Sequence, residues 1–212
     1  MNYCLYLEEK EFWSKKFRVN GSTLIPRPET ELLVNKLLEI FKGKKISILD
    51  IGTGSGCIVL SLLGDLKNST GMGIDISKEA IVIAKNNGLK FNLQNRVRFI
   101  NRSFLSVINE KFDLIVSNPP YIKRKDIRNL SKDIRGYEPR IALDGGNDGL
   151  DVIKKVIYKS KNILKLKGTL ALEIGNEQIK KVSKILFDNK FRIRHIINDN
   201  NKNVRCVIAN YD

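Results

Sequence analysis

Cysteine and histidine are scarce in this sequence, and their scarcity excludes several kinds of site. The 212 residues include three cysteines and one histidine. Cys4, Cys57 and Cys206 are scattered with no C-x-x-C spacing, which excludes a disulfide framework and a zinc site and suits a reducing compartment. His195 lies in a predicted strand, so neither a metal site nor a histidine general base is predicted.

Long apolar runs are also missing. No run approaches the roughly 18 residues of a membrane-spanning helix. The N-terminal stretch "MNYCLYLEEKEFW" lacks the basic region and apolar core of a signal peptide. Hydrophobic residues nevertheless make up 42% of the chain, which is typical of a globular protein and not of a disordered one. A globular cytoplasmic protein with no membrane partner is therefore expected.

Acidic residues are few relative to basic ones. The chain has 38 lysines and arginines against 23 aspartates and glutamates, a net charge of +15 and a pI near 9.7. Such a charge attracts polyanions such as RNA or the ribosome. Lysine and asparagine are abundant along the whole chain, however, as in a compositionally biased genome, so direct binding to nucleic acid stays an open alternative.

Strand-like and helix-like patterns alternate from about residue 28 onward, which predicts an α/β sheet with helices on both faces. Five strands are predicted at "KISILDIG", "GMGIDIS", "RVRFIN", "FDLIVSN" and "GTLALEIG". Helices are predicted at "RPETELLVNKLLEIFKG", "CIVLSLLGDL", "KEAIVIAKNN", "LDVIKKVIYKSKNIL" and "NEQIKKVSKILFDN". "FRIRHIIND" and "NVRCVIANY" predict a closing hairpin, and a small β-hairpin ahead of the domain is predicted to turn at Asn20-Gly21.

The stretch "LDIGTGSG" places Gly52, Gly54 and Gly56 between the first strand and the helix after it. Glycines allow a tight turn and let a ligand approach bare backbone. The spacing is G-x-G-x-G and not the G-x-G-x-x-G of dinucleotide sites, which disfavours NAD. Asp75 ends the next strand about 20 residues further on, where a carboxylate accepts hydrogen bonds from both hydroxyls of a ribose.

This order of strand, glycine loop, helix, strand and acid resembles the class I methyltransferases that use S-adenosylmethionine. The resemblance implies a doubly wound, mostly parallel, Rossmann-like sheet of seven strands, with an antiparallel strand in the C-terminal hairpin. It also implies S-adenosylmethionine as the cofactor.

The stretch "FDLIVSNPPYI" ends a buried strand with Asn118, two prolines and Tyr121. An amide or aromatic amine is a poor nucleophile because its lone pair is delocalised, but two acceptors can grip its two N–H groups. The side-chain oxygen of Asn118 and the backbone carbonyl of Pro119 are suited to this, and the proline ring fixes the backbone that carries that carbonyl. Tyr121 is placed to lie flat against the planar acceptor. The motif predicts an amino-group methyltransferase that depends on Asn118, Pro119 and Tyr121.

The motif alone suits adenine N6 in RNA or DNA as well as the amide of glutamine. Longer segments are more specific: "LIPRPETELLV", "DIGTGSGCI", "YEPRIALDGGNDGLD" and "ALEIGNEQ" together resemble the protein-(glutamine-N5) methyltransferases that modify peptide chain release factors. The resemblance implies N5 methylation of the glutamine in the Gly-Gly-Gln loop of a release factor, which would be the partner. A monomer is expected. Association with the ribosome, a glutamine of a ribosomal protein as substrate, and adenine-N6 methylation of nucleic acid remain alternatives.

The same resemblance implies roles for individual residues. The cofactor contacts it implies are Gly52, Thr53, Gly54, Ser55, Gly56, Asp75, Phe104 and Asn118. The acceptor glutamine would lie against Asn118, Pro119, Pro120 and Tyr121. Phe104 is placed either to stack on the adenine or to pack in the core. Ser103 stands where family members often have an acid, which predicts weaker cofactor affinity if that acid receives the adenine amino group.

The resemblance also bears on domain organisation. Family members usually carry an N-terminal helical domain that docks the release factor, and "MNYCLYLEEKEFW" resembles the end of the linker from that domain. Residues 1–27 are therefore predicted to be a linker remnant and β-hairpin, and residues 28–212 the methyltransferase domain.

Several other polar residues lie near the predicted site. The segment Asn118-Pro119-Pro120-Tyr121 is called the acceptor motif below. A long connection follows it, which contains Glu138, Arg140 and Asp144 and is a candidate cover for the active site. Arg27 either shapes the mouth of the pocket or complements the start of a helix. Glu173, at the end of "LALEIG", is expected to hydrogen-bond neighbouring loops and not to react.

Overall fold

The computed structural model describes residues 9–106 and 109–212, and these form two sheets with helices around the larger one. The strands are β1 (Glu9–Phe12), β2 (Lys15–Arg18), β3 (Ser47–Ile51), β4 (Thr70–Asp75), β5 (Val97–Asn101), β6 (Phe112–Ser117), β7 (Leu164–Glu173), β8 (Phe191–Asn198) and β9 (Val204–Tyr211). The helices are α1 (Pro28–Phe41), α2 (Cys57–Asp65), α3 (Lys78–Lys90), α4 (Lys132–Tyr137), α5 (Asp151–Ile163) and α6 (Ile179–Asp188). Two 3₁₀ turns, Arg124–Asn129 and Arg140–Ala142, lie between β6 and α5.

The larger sheet has seven strands in the order β5-β4-β3-β6-β7-β9-β8. Neighbours from β5 to β7 are parallel, whereas β9 is antiparallel to both β7 and β8. The central strands β3 and β6 read as nearly continuous apolar runs because helices cover both of their faces. The prediction of a doubly wound, mostly parallel seven-stranded sheet with an antiparallel strand in the C-terminal hairpin is confirmed.

Alternate strand residues feed two separate cores. Ile48 and Leu114 pack in the core on the side of α1, α2 and α3, whereas Leu49 and Ile115 pack in the core on the side of α5 and α6. The polar ends of β3, β4 and β6 then meet at one edge of the sheet, between the two helical layers.

The N-terminal hairpin is confirmed, but its predicted turn at Asn20-Gly21 is wrong. The register of β1 and β2 leaves a two-residue turn at Trp13-Ser14. Both residues have positive φ, 51° and 54°, as a type I′ turn requires. Neither tryptophan nor serine favours that conformation by itself, whereas Asn-Gly does. Turn propensities therefore predicted the hairpin turn at the later Asn-Gly pair.

Tertiary contacts hold the turn where it is. The Trp13 N–H donates to Glu31 Oε1 and its indole Nε1–H donates to Asp65 Oδ2, both at 2.8 Å. Phe12 and Phe17 are buried in the core on the side of α1. The hairpin therefore packs as part of the same unit as the larger sheet.

Helix α6 begins at Ile179, three residues later than the first residue of its predicted segment. Glu177 has a positive φ of 68°, so the helix does not extend back through it, and the side chain of Gln178 bonds outside the segment. Its Oε1 accepts from the Gly175 N–H at 2.8 Å, and its Nε2 donates to the carbonyls of Tyr121 at 3.0 Å and Gly149 at 3.1 Å. Gln178 thus joins the end of β7 to the acceptor motif and to the start of α5.

Candidate functional site

A cavity of about 220 Å³ lies at the carboxyl ends of β3, β4 and β6, where parallel α/β sheets bind ligands. The glycine loop, the end of β4, the segment before α1 and the connection after β6 form its wall. The predicted site residues in this wall are Gly52, Thr53, Gly54, Ser55, Asp75, Phe104, Asn118, Pro119 and Pro120. Gly56 and Tyr121 do not line this cavity.

The glycine loop needs glycine because its backbone is left-handed at three positions. The φ angles are 69°, 53° and 80° at Gly52, Gly54 and Gly56, a region that costs other residues strain. A Cβ added at Gly52 or Gly54 would meet nothing within 4 Å, whereas one at Gly56 would meet Leu60 and Phe99. The first two glycines therefore present bare backbone beside open space, and Gly56 serves the packing of α2.

The Asp75 carboxylate is held in a fixed orientation at the end of β4. Its Oδ2 accepts from the Gly54 N–H at 3.0 Å and its Oδ1 accepts from the Ser77 N–H at 2.9 Å. Each oxygen keeps further lone pairs, and the residue lines the cavity. The arrangement suits two vicinal hydroxyls.

Asp50, which the sequence analysis did not single out, lies directly behind the glycine loop. Its side chain is buried, its Oδ2 accepts from the Thr53 hydroxyl at 2.8 Å, and burial raises its pKa to about 7. A signal was present, since an acidic residue inside the apolar strand "SILDI" needs a partner to be tolerated there. Asp50 fixes the conformation of the loop from behind.

Phe104 contacts both the core and the cavity. It packs against the core on the side of α5 and also lines the cavity. Ser103 does not line the cavity, and its hydroxyl accepts from the Leu105 N–H at 3.2 Å. Arg102, which the sequence analysis missed, does line it.

The acceptor motif is joined to two other parts of the chain by a short series of hydrogen bonds. Asn118 Nδ2 donates to Thr30 Oγ1 at 3.4 Å, and the Thr30 hydroxyl donates to Glu173 Oε2 at 2.6 Å. The Tyr121 hydroxyl donates to Glu173 Oε1 at 3.4 Å. Glu173 therefore hydrogen-bonds as expected, but its partners belong to the site itself.

Burial shifts the pKa values of the two titratable side chains in this series, Glu173 and Tyr121. Glu173 is 2% exposed, and its desolvation raises the pKa of its carboxyl to about 7. Desolvation also raises the pKa of Tyr121, which keeps its hydroxyl a proton donor at neutral pH. Thr30, which the sequence analysis did not single out, is equally buried.

The candidate cover forms one wall of the cavity. Pro139, Ile141 and Ala142 line the cavity, and an ion pair between Arg27 and Glu138 joins this wall to the start of α1. Burial raises the pKa of Glu138 despite the nearby guanidinium. Arg27, which lines the cavity itself, therefore shapes the pocket mouth.

A second groove, of about 520 Å³, is lined by other residues of the same connection, between Arg124 and Leu143. Its cationic lining residues are Arg124, Lys125, Arg128, Arg135 and Arg140. Asp144 accepts from Arg124 Nε at 2.9 Å. Arg140 and Asp144 thus lie away from the cavity that holds Asn118.

The described part of the chain contains no set of side chains suited to bind a metal ion. No group of three or more histidine, cysteine, aspartate or glutamate side chains there is arranged to hold a metal ion. His195 lies on β8, opposite Ile208 of β9, and does not line the cavity. Within residues 9–106 and 109–212, no helix has the length and apolar character needed to cross a membrane.

Comparison with known proteins gives a family match and several similar curated proteins. Residues 28–134 match the family described as the methyltransferase small domain. A release factor glutamine methyltransferase of Buchnera aphidicola subsp. Schizaphis graminum is 50% identical over 76% of this chain and 58% of its own length. One of Bradyrhizobium diazoefficiens is 44% identical over 71% of this chain and 52% of its own length. The chain thus spans little more than half the length of these relatives.

Solved structures agree with the fold. A methyltransferase from Pyrococcus furiosus superposes with a TM-score of 0.69 at 18% identity, covering 92% of this chain and 88% of that one. The motifs of this chain resemble those of release factor glutamine methyltransferases, and the names of the curated relatives confirm that resemblance.

Proposed function

The chain belongs to the methyltransferase small domain family, and on that premise we propose that it methylates the side-chain amide nitrogen of a glutamine in a peptide chain release factor. S-adenosylmethionine is the proposed methyl donor. One observation carries the proposal: the glycine loop, Asp75 and the Asn118-Pro119 pair line a single cavity. The relatives named release factor glutamine methyltransferase support the choice of substrate.

The residues of the cavity fit S-adenosylmethionine. Open space beside Gly52 and Gly54 admits a ligand against bare backbone. The lone pairs of Asp75 suit ribose hydroxyls, and Phe104 offers an aromatic surface to the adenine. When bound, this cofactor supplies a methyl group on an electrophilic sulfonium.

The acceptor carboxamide is held by the two oxygens of the motif. Asn118 Oδ1 accepts one N–H and the Pro119 carbonyl accepts the other, which aims the amide nitrogen at the methyl carbon and favours loss of its conjugation. Positioning of this kind supplies several kcal/mol of the barrier reduction. As the N–C bond formed and the C–S bond of the donor broke, the sulfur would leave as a neutral thioether and the nitrogen would become cationic. The nitrogen would then lose a proton to solvent, so no histidine is required.

The partner, location and organisation follow from the same proposal. The release factor is the partner, and the enzyme works in the cytoplasm as a monomer. Residues 28–212 form the methyltransferase domain, and the hairpin within residues 1–27 packs onto it through Phe12 and Phe17.

Labelled S-adenosylmethionine tests the proposal directly. The 212-residue chain is incubated with a release factor, with the same factor carrying alanine for glutamine in its Gly-Gly-Gln loop, with ribosomal proteins and with RNA. Label in the intact factor alone is the expected result. Label in RNA would replace the proposal with adenine methylation, and label in a ribosomal protein alone would replace the substrate.

A further inference from the structure

Behind the acceptor motif lies a buried series of hydrogen bonds that the proposed reaction does not itself use. The Thr30 hydroxyl, on α1, is 2.6 Å from Glu173 Oε2, at the end of β7. Asn118 Nδ2 is 3.4 Å from the same hydroxyl. Thr30 and Glu173 are each 2% exposed, so water does not compete for the bond between them.

The series has a direction because a hydroxyl has only one hydrogen to donate. Above about pH 7 Glu173 is ionised and its carboxylate only accepts, so Thr30 gives its hydrogen to Glu173. The Thr30 oxygen then offers only lone pairs to its other neighbour, and Asn118 must turn its NH2 end towards it. The amide oxygen of Asn118 is left on the opposite side, free to accept.

Packing alone does not select this orientation of Asn118. A flip of the side-chain amide exchanges oxygen and nitrogen with almost no change in shape, so hydrogen-bond partners decide it. In the flipped state the Asn118 NH2 would face the N–H groups of an acceptor carboxamide, and donor would meet donor. The grip on the acceptor would be lost although every atom stayed in place.

We propose that Thr30 and Glu173 are positioning residues that fix which end of the Asn118 amide faces the acceptor. Glu173 also holds the far end of the motif, because its second oxygen accepts from Tyr121. The inference rests on the proposed function, in which Asn118 Oδ1 accepts a hydrogen bond from the substrate amide. The residues are far apart in sequence, 143 positions between Thr30 and Glu173, so no linear motif contains them together.

The protonation of Glu173 affects this direction. Burial raises its pKa to about 7, and the charge of Glu29 acts the same way, whereas Arg205 lowers it. Tyr121, Cys57 and Cys206 are the other titratable groups that face it. A protonated Glu173 can donate to Thr30, which frees the Thr30 hydrogen to point at Asn118. Turnover is expected to fall as pH drops below about 7.

Three variants test the inference by kinetics. Thr30→Val keeps the shape and removes the hydroxyl, Thr30→Ser keeps the hydroxyl, and Thr169→Val is a matched control. Thr169 is a buried threonine on β7 that accepts from Asn210 Nδ2 at 3.1 Å, outside the cavity. We expect kcat to fall ~10–100-fold in Thr30→Val, and to stay within about threefold in Thr30→Ser and Thr169→Val, with KM and S-adenosylhomocysteine affinity little changed.

Several kinetic results would overturn the inference. Thr30→Val with the turnover of the wild type is one, and Thr30→Ser as impaired as Thr30→Val is another. Glu173→Gln supplies a readout that a merely structural role would not move: its kcat is expected to be low and to lose the decline below pH 7. A Glu173→Gln variant that keeps the wild-type pH profile contradicts the role of Glu173.

A measurement that needs no turnover separates this inference from the proposed function. In 15N-labelled protein, the Asn118 side-chain proton that donates to Thr30 is expected to exchange more slowly in the wild type than in Thr30→Val. If the wild type labels no acceptor, the proposed function fails, and the spectra still decide the orientation of the amide. Slower exchange in the wild type than in Thr30→Val supports the inference, and equal exchange in the two proteins overturns it.

Discussion

The cavity has two halves that are built in different ways. The half proposed to bind the cofactor, here the cofactor half, is made by the loop Gly52–Ser55 and Asp75 and rests on Asp50, which bonds Thr53 three residues away. The half proposed to bind the acceptor, here the acceptor half, is made by Asn118 and its neighbours and rests on Glu173, which bonds a threonine 143 residues away. Each half thus has one buried carboxyl behind it, with a pKa raised to about 7 by burial.

The difference concerns what a short stretch of sequence contains. The cofactor half is almost complete within the segment from β3 to α2, which supplies the glycines with left-handed backbone and the buried Asp50. Only Asp75 comes from the next strand, β4. The acceptor half is complete only when α1, β6 and β7 are side by side in the sheet and its helical layer. The two halves should therefore fail differently when changed: the first in cofactor affinity and the second in turnover.

The largest effect is expected from Asn118→Ala. Removing the oxygen that grips one N–H of the acceptor should lower kcat by ~10³-fold or more, because orientation of the reacting nitrogen is lost. Binding of S-adenosylhomocysteine, measured by calorimetry, should remain detectable, since Asp75 and the glycine loop are untouched. Unimpaired turnover in this variant would contradict the proposed grip on the amide.

The two buried carboxyls are expected to make stability fall as pH rises. In the folded chain each keeps its proton up to about pH 7, whereas the unfolded chain loses it near its ordinary pKa of 3.8 for aspartate or 4.5 for glutamate. The folded state therefore binds more protons in between, and stability declines from about pH 4 until it levels off above pH 7. Over this range the decline in unfolding free energy is roughly 4 kcal/mol for Asp50 and roughly 3 kcal/mol for Glu173.

Asp50→Asn and Glu173→Gln separate the two contributions. Each should flatten the decline of unfolding free energy, measured by denaturant titration at pH 5 to 8, by a similar amount. Only Glu173→Gln should also lower kcat, because Asp50 lies behind the cofactor half. Equal kinetic effects of the two variants would remove the distinction between the halves.

The alternation of strands and helices was predictable from sequence because its determinants are local or periodic. The seven-stranded arrangement was implied by the resemblance. The hairpin turn was not predictable, because Trp13 is held in a left-handed conformation by Glu31 and Asp65, which come from other elements. The start of α6 was missed for the same reason, since the side chain of Gln178 bonds outside its own segment.

The site was predictable to the extent that its residues belong to motifs. The glycine loop, Asp75 and Asn118 were identified and do meet in one cavity. Thr30 carried no signal of its own, because a threonine in the first turn of a helix is ordinary. The structure assigns it a place only through contacts with β6 and β7.

Asp75→Ala probes the cofactor half. Loss of a carboxylate that accepts from ribose hydroxyls should weaken binding of S-adenosylhomocysteine ~10–100-fold. The KM for the release factor should change less than about twofold. Asp148→Ala is a suitable control, because Asp148 pairs with Lys154 at the start of α5 and does not line the cavity. A rise in the release-factor KM as large as the loss of cofactor affinity would contradict the division.

The smallest effect is expected at the wall that both halves share, where Arg27 pairs with the buried carboxylate of Glu138. Arg27→Gln leaves that carboxylate without its cation, and because Arg27 is about one-third exposed, the loss of stability should be only about 1–2 kcal/mol. Lys36→Gln breaks the exposed Lys36–Glu39 pair on α1 and should cost less than about 0.5 kcal/mol in the same denaturant titration. Equal losses in the two variants would mean that Glu138 is solvated when unpaired, and that the wall is not closed over it.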